Sequence, residues 1–210
     1  MHNSFKIPFN FAPKYIFDIG ANVGFASIYF RRRFPDSIII SVEPDASNFE
    51  LLKKNTEKYK NIHCLQYGIW NKSTKLEIIE NGNNKWNCRT VETTEGSHKA
   101  SVPSITIDEL MQMFNIEKID ILKMDIEGYE FQALKGATAT LAARPIIITE
   151  INNFFHRYHE NFETWVDFMT KHGYDLYALS AGQFERVSAK IVSAAQLPSS
   201  DDSNYWWLPR

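Results

Sequence analysis

The sequence predicts an α/β fold: a mostly parallel sheet with helices on both faces. Three observations predict it. The runs Tyr15–Ile19 and Ser37–Val42 are short, apolar and continuous, as strands buried on both faces of a parallel sheet are. Segments with helical signals alternate with such runs, which gives β-α-β-α-β over roughly the first third of the chain. The first run also passes straight into a glycine turn, Gly20 to Gly24, that opens a helix. In open α/β sheets that connection is where nucleotide-like ligands bind.

The elements follow in order. After the strand at 15–19 and the turn, residues 25–34 are expected to be helical, ended by Pro35. The second strand closes on Glu43-Pro44. Asp45 is placed to cap a helix running to about Tyr59, with Phe49, Leu51 and Leu52 inward. A third strand is expected over 62–69. Residues 71–104 then break the pattern. A short strand near 75–79 and the turn Asn81-Gly82-Asn83-Asn84 stand in an otherwise polar stretch, read as a surface excursion. A functional lid and a plain insertion are the two accounts of it. Beyond it come a helix over 108–115, a strand over 118–126, a helix over 129–143 and a strand over 145–151. The last third gives a helix over 163–172 that ends at Gly173, a strand over 174–180 and a seventh candidate strand at 205–208. No repeat or low-complexity segment interrupts the chain, and 210 residues suit one domain spanning 1–210.

Bulk properties narrow the partners. A net charge of −2 gives no basis for broad attraction to nucleic acid or acidic membrane. No apolar run is long enough to span a bilayer, and the first residues lack a leader pattern, so the cytoplasm is the expected location. Cys64 and Cys88 form no CxxC pair, which removes zinc-ribbon and thioredoxin readings and favours free thiols. The expected partner is a small molecule or glycan, with no nucleic acid and no membrane; oligomeric state is left open.

The spacing of the glycine turn selects its ligand. Dinucleotide folds carry a glycine in the middle of G-x-G-x-x-G, where a pyrophosphate needs the room. Here Asn22 holds that position between Gly20 and Gly24. A phosphate-binding loop would need a following Gly-Lys-Ser/Thr, which is absent. Asp18 precedes the turn, and such a carboxylate suits a cationic or amino-bearing ligand. Glu43 ends the second strand, where an acid accepts hydrogen bonds from both hydroxyls of a ribose. Glycine turn, ribose acid and no phosphate site together describe S-adenosylmethionine. Asp18, Gly20, Asn22, Gly24 and Glu43 are its candidate contacts; two solvated acids beside an ordinary turn are the bland alternative.

A second acidic site ends the fourth strand. Ile121-Leu122-Lys123-Met124-Asp125-Ile126-Glu127-Gly128 alternates, so Lys123, Asp125 and Glu127 are expected on one face. Charged groups on a central strand need partners or a function. Asp125 or Glu127 is a candidate general base for removing an alcohol proton. Orienting the substrate or cofactor, or holding a divalent cation, are further roles open to them. A buried Lys123–Asp125 pair without catalytic part is the competing account. No residue is assigned to a metal.

With these residues assembled, the chain resembles the FkbM family of methyltransferases. The similarity runs through Phe17–Gly24, Val42-Glu43-Pro44, Ser104–Leu110, the long block Ile119–Glu130, Leu134–Ala137 and Ile147–Ile151, and so covers roughly Tyr15 to Ile151. It implies the class I methyltransferase (Rossmann-like) fold, with a seven-stranded, mostly parallel sheet whose last strand runs antiparallel. It also implies cofactor contacts at Asp18, Gly20, Asn22 and Glu43, and methylation of hydroxyl oxygens on sugars and natural products. Residues 71–104 and those after Asn152 match no pattern of the family, so the resemblance does not carry over an acceptor.

Weaker signals complete the candidate site. His156 and His159 follow the fifth strand on the crevice side, and His156 is a candidate base near neutral pH. Trp70 follows the third strand, where an adenine ring would lie against it, and Glu150 ends the fifth strand as a candidate substrate contact. Arg31-Arg32-Arg33 reads as a solvated helix end. Two other functions compete: an NAD-dependent oxidoreductase, which Asn22 disfavours, and a non-catalytic cofactor-binding module of the same fold.

Overall fold

A computed structural model describes residues 5, 7, 10–80, 88–92, 101–151, 161–180, 183–187, 197 and 204–210. The apolar runs become strands because each can bury both faces. β1 (Tyr15–Ile19) and β2 (Ile38–Val42) pair in parallel. α1 (Phe25–Arg33) crosses between them and stops at Phe34, before Pro35. α2 (Ala46–Thr56), capped by Asp45 accepting from the Asn48 amide, leads to β3 (Ile62–Leu65), parallel to β2. β4 (Gly68–Ile69), β5 (Lys75–Glu80), β6 (Cys88–Glu92) and β7 (Ser101–Ile105) follow. Then come α3 (Ile107–Met113), β8 (Ile121–Met124), α4 (Glu130–Lys135), α5 (Thr138–Ala142) and β9 (Ile146–Glu150). The chain ends with α6 (Phe162–Lys171), β10 (Tyr174–Ser180), β11 (Gln183–Arg186) and β12 (Asn204–Pro209).

The main sheet has the order β11-β10-β12-β9-β8-β1-β2-β3. The last strand, β12, lies antiparallel between β9 and β10, as expected. The sheet has eight strands rather than seven. The extra one, β11, forms an antiparallel hairpin with β10 on the sheet's outer edge. Its sequence, Gln-Phe-Glu-Arg, is polar enough to hide a strand, and charged edges of this kind blunt unwanted pairing.

Alternation along the strands divides the core in two. Ile16, Ile39, Ile121 and Ile148 pack with Phe30 and Trp206 on one face of the sheet. Phe17, Ile40, Leu122 and Ile147 pack with Leu134, Trp165 and Trp207 on the other. Removing one such isoleucine side chain typically costs about 2–5 kcal/mol.

The structure corrects several boundaries. The expected strand over 62–69 splits: β3 stays in the main sheet, whereas β4 turns away to pair with β7. The described part of the 71–104 excursion is thus a second sheet, ordered β4-β7-β5-β6. The single helix expected over 129–143 breaks at Gly136, which packs so closely on the Asn71 backbone that a Cβ would lie 2.8 Å from its Cα. The expected strand over 118–126 is only four residues long and stops at Met124. On α2 the inward positions are Asn48, Leu52 and Thr56, while Leu51 is 47% exposed; the i, i+4, i+8 row displaces it from the core. Cys64 is a free thiol. Among the described residues, no helix is long and apolar enough to cross a membrane.

Candidate active site

The glycine turn folds across the end of the neighbouring strand. The amides of Gly20 and Ala21 both donate to the Val42 carbonyl, at 3.0 and 2.9 Å. Gly20 has φ +72°, and a Cβ on it would lie 1.9 Å from the Asp125 carbonyl oxygen. Only glycine allows the turns after β1 and β8 to approach so closely. Gly24, also at positive φ, serves a different contact. A Cβ there would meet the Leu52 Cδ1 at 2.8 Å, so this glycine docks the start of α1 on α2 and does not line the cleft.

Glu43 enters the site directly after β2. Its Oε2 accepts from the Asn22 amide at 2.8 Å and its Oε1 from the Asp45 amide at 3.0 Å. These bonds pin the carboxylate on the cleft wall. Burial pushes its pKa up to about 7, against the lowering effect of the two amides. Asn22 adopts φ +50°, and its buried side-chain oxygen meets no hydrogen-bond donor among the described residues. An acceptor left in that state asks for a ligand donor.

Around these groups lies a cleft of about 770 Å³, within the size range of small-molecule and cofactor sites. It opens beyond the carboxyl ends of β1, β2 and β8, the crevice in which open α/β sheets bind ligands. Gly20, Asn22, Glu43, Asn48, Tyr67, Ile69, Asp125 and Glu127 are among the residues that line it. The aromatic on its wall is Tyr67, three positions before the residue expected from the sequence. Trp70 is instead fully buried, packed with Leu76, Val102 and Tyr129 beneath the second sheet. The split between β3 and β4 causes this exchange, because the turn toward β7 carries Trp70 inward.

Asp18 is likewise not on the cleft wall. It is fully buried, with Ser27 Oγ donating to its Oδ2 and Lys123 Nζ 3.1 Å from its Oδ1. Lys123 also donates to the Gly20 carbonyl oxygen at 3.0 Å and stands 3.8 Å from Asp125 Oδ2. Burial alone would lower the lysine's pKa; the carboxylates of Asp18 and Asp125 outweigh it and raise the value. The pair expected between Lys123 and Asp125 is therefore chiefly a Lys123–Asp18 pair, aimed at the underside of the glycine turn.

Lys123, Asp125 and Glu127 do not share a strand face. β8 ends before Asp125, and the chain turns with Glu127 at φ +60° and Gly128 at φ +94°. Asp125 and Glu127 reach the cleft by this turn, whereas Lys123 is buried below it. Glu150 ends β9, opposite Asn204 of β12, and is not among the lining residues. His156 and His159 lie outside the described residues. Asn48 and Tyr67 were not singled out from the sequence. Asn48 shows its exposure to the cleft only once the turn after β1 is folded against α2.

The comparisons with known proteins agree with this geometry. A hexuronic acid methyltransferase, AglP, of Haloferax volcanii is 27% identical over 143 residues, covering 65% of this chain and 55% of that protein. The methyltransferase sdnD of Sordaria araneosa is 25% identical over 154 residues, covering 58% of this chain and 60% of that protein. The chain thus spans a little over half the length of these relatives. Among solved structures, an FkbM methyltransferase from Methylobacillus flagellatus KT superposes with a TM-score of 0.58 at 15% identity, covering 95% of this chain and 45% of that one. The Methanococcus jannaschii fibrillarin pre-rRNA processing protein gives 0.51 at 10% identity, covering 97% and 68%. The fold is that of class I methyltransferases, with one added edge strand. The family model of the methyltransferase FkbM domain matches residues 18–176, and the chain belongs to that family.

Proposed function

We propose that the chain binds S-adenosylmethionine in the cleft beside Gly20 and Glu43 and methylates a hydroxyl oxygen of a sugar or another small hydroxylated acceptor. The observation that carries this reading is the Glu43 carboxylate. It is fixed from behind by the Asn22 and Asp45 amides, and a carboxylate keeps lone pairs for further donors after accepting two. Glu43 would hold the ribose. The Gly20 turn would let the backbone approach the ligand, and the unsatisfied Asn22 oxygen would take a ligand donor. Asp18 acts on the cofactor through Lys123 and the Gly20 carbonyl rather than by touching it.

The bound sulfonium supplies an activated methyl group. What remains for the protein is to align the acceptor and remove its proton. Asp125, whose side chain is 45% exposed, and Glu127 stand on the cleft wall as the groups for that step. His156 remains a candidate base and Glu150 a candidate acceptor contact. Among the described residues, no group of three His, Cys, Asp or Glu side chains is arranged to hold a metal. The similarity to a protein named as a hexuronic acid methyltransferase supports a sugar acceptor.

Isothermal calorimetry with S-adenosylhomocysteine tests the cofactor half. Wild type should bind, and Glu43→Ala should weaken binding by roughly 1.5–3 kcal/mol, the value of hydrogen bonds to a charged group. Transfer of labelled methyl from S-adenosylmethionine to a panel of uronic acids, neutral sugars and phenols tests the acceptor half. No binding by wild type, or undiminished binding by Glu43→Ala, would overturn the assignment.

A further inference from the structure

Glu130 stands apart from the cleft, yet its carboxylate is directed at the chain that builds it. The residue is 1% exposed, in the first turn of α4. Its Oε1 accepts from the Ile126 amide at 2.8 Å and, more weakly, from the Gly128 amide at 3.4 Å. These two amides flank Glu127, which is held at φ +60°, a conformation unfavourable for a residue with a Cβ. Something must offset that strain, and a buried acceptor gathering the amides on either side does so. From the opposite side, the Asp125 carbonyl is pressed against Gly20 with no space for a Cβ between them. The turn that carries Asp125, Ile126 and Glu127 to the cleft is thus held between Gly20 and Glu130.

We infer that Glu130 is a positioning residue: its buried carboxylate fixes the 125–128 turn, and through it sets Asp125 and Glu127 on the cleft wall. It does not line the cleft and has no part in proton transfer. The consequence for ligand binding rests on the cofactor reading above; the consequence for the turn does not.

Three substitutions separate this role from a general contribution to folding. Glu130→Gln keeps a side-chain oxygen at the same reach. Glu130→Asp keeps the charge but draws the oxygen back by one methylene. Glu130→Met keeps the length and removes the acceptor. Amide hydrogen exchange should show Ile126 and Gly128 protected in wild type and Glu130→Gln. In Glu130→Asp and Glu130→Met the same amides should exchange roughly tenfold faster or more, while β8 amides such as Leu122 keep their protection. Calorimetry should show S-adenosylhomocysteine binding near wild type for Glu130→Gln and roughly tenfold weaker for the other two. Should Glu130→Met fail to fold, the Asp and Gln variants decide. Equal exchange at Ile126 and Gly128 in wild type and Glu130→Asp, or Glu130→Gln losing as much as Glu130→Asp, overturns the inference. If wild type fails to bind S-adenosylhomocysteine, the cofactor reading falls, and the exchange measurement still decides the role of Glu130.

Discussion

Gly20→Ala is the perturbation that bears most directly on the cleft. Alanine would carry the left-handed φ of +72°, at a cost of roughly 1–2 kcal/mol. Its Cβ would also lie 1.9 Å from the Asp125 carbonyl oxygen. Ordinary contact needs about 3.5 Å, so the two turns must separate by roughly 1.5 Å. The obstacle is backbone, and no rotamer change relieves it. Separation strains the Gly20–Val42 hydrogen bond on one side and the Lys123–Gly20 bond on the other. Together these terms predict a loss of roughly 3–5 kcal/mol in stability, the size reserved for backbone clash and strain. For a chain of this length the midpoint of thermal unfolding falls by about 10 °C. Because both turns line the cleft, affinity for S-adenosylhomocysteine should fall about 100-fold, as misplacement by an ångström does elsewhere. Gly24→Ala is the control. It shares the positive φ, but its new methyl meets the movable end of Leu52, and Gly24 is off the cleft wall. It should destabilise without a comparable loss of affinity. If Gly20→Ala keeps wild-type affinity, or Gly24→Ala loses as much, the two-turn account of the cleft is wrong.

Lys123→Met should destabilise by about 3–5 kcal/mol, because it strands the buried Asp18 carboxylate. Adding Asp18→Asn should restore part of that; strictly additive losses in urea unfolding would contradict the pairing. Glu43 and Glu130 carry pKa values pushed up by burial to about 7 and about 8, above the ordinary unfolded value near 4.3. Between those limits the folded state binds more protons than the unfolded one. Their joint contribution is therefore full below about pH 4, declines as pH rises, and is gone above about pH 8. Glu130→Gln should flatten the fall in ligand-free stability between pH 5 and 8 relative to wild type; parallel pH profiles would refute the assignment. S-adenosylhomocysteine affinity should rise with pH through about 7 as Glu43 ionises to accept the ribose hydroxyls, and Glu43→Gln should lose that dependence in calorimetry.

The order of strands and helices was legible because each rests on neighbours a few residues away. Tyr15–Ile19 is apolar throughout, Asp45 caps its own helix, and Gly173 ends α6, all within local reach. Gly20, Asn22 and Glu43 were legible for the same reason, since the spacing of a turn and the end of a strand place them. The misreadings share a different cause. Leu51 faces solvent because α2 meets the sheet along the Asn48–Leu52–Thr56 row, which hydrophobicity alone did not rank. Residues 62–69 looked like one strand, but the partner that draws β4 away, β7, begins more than thirty residues later. Trp70 and Tyr67 exchange places as a result.

The residue pattern by itself determined the parallel α/β architecture, the family, and the cleft residues Gly20, Asn22, Glu43, Asp125 and Glu127. Tertiary structure decided which charged groups touch that cleft and which support it. Asp18 and Lys123 read as surface chemistry on paired strands; folded, they are buried beneath the turn, with Lys123 bonded to a carbonyl 103 residues away. Glu130 read as the end of a family motif and proves to face back on the turn before it. Periodicity and turn chemistry act over a few residues and are written in the chain, whereas burial and long-range pairing depend on register between distant strands, which only the assembled sheet supplies.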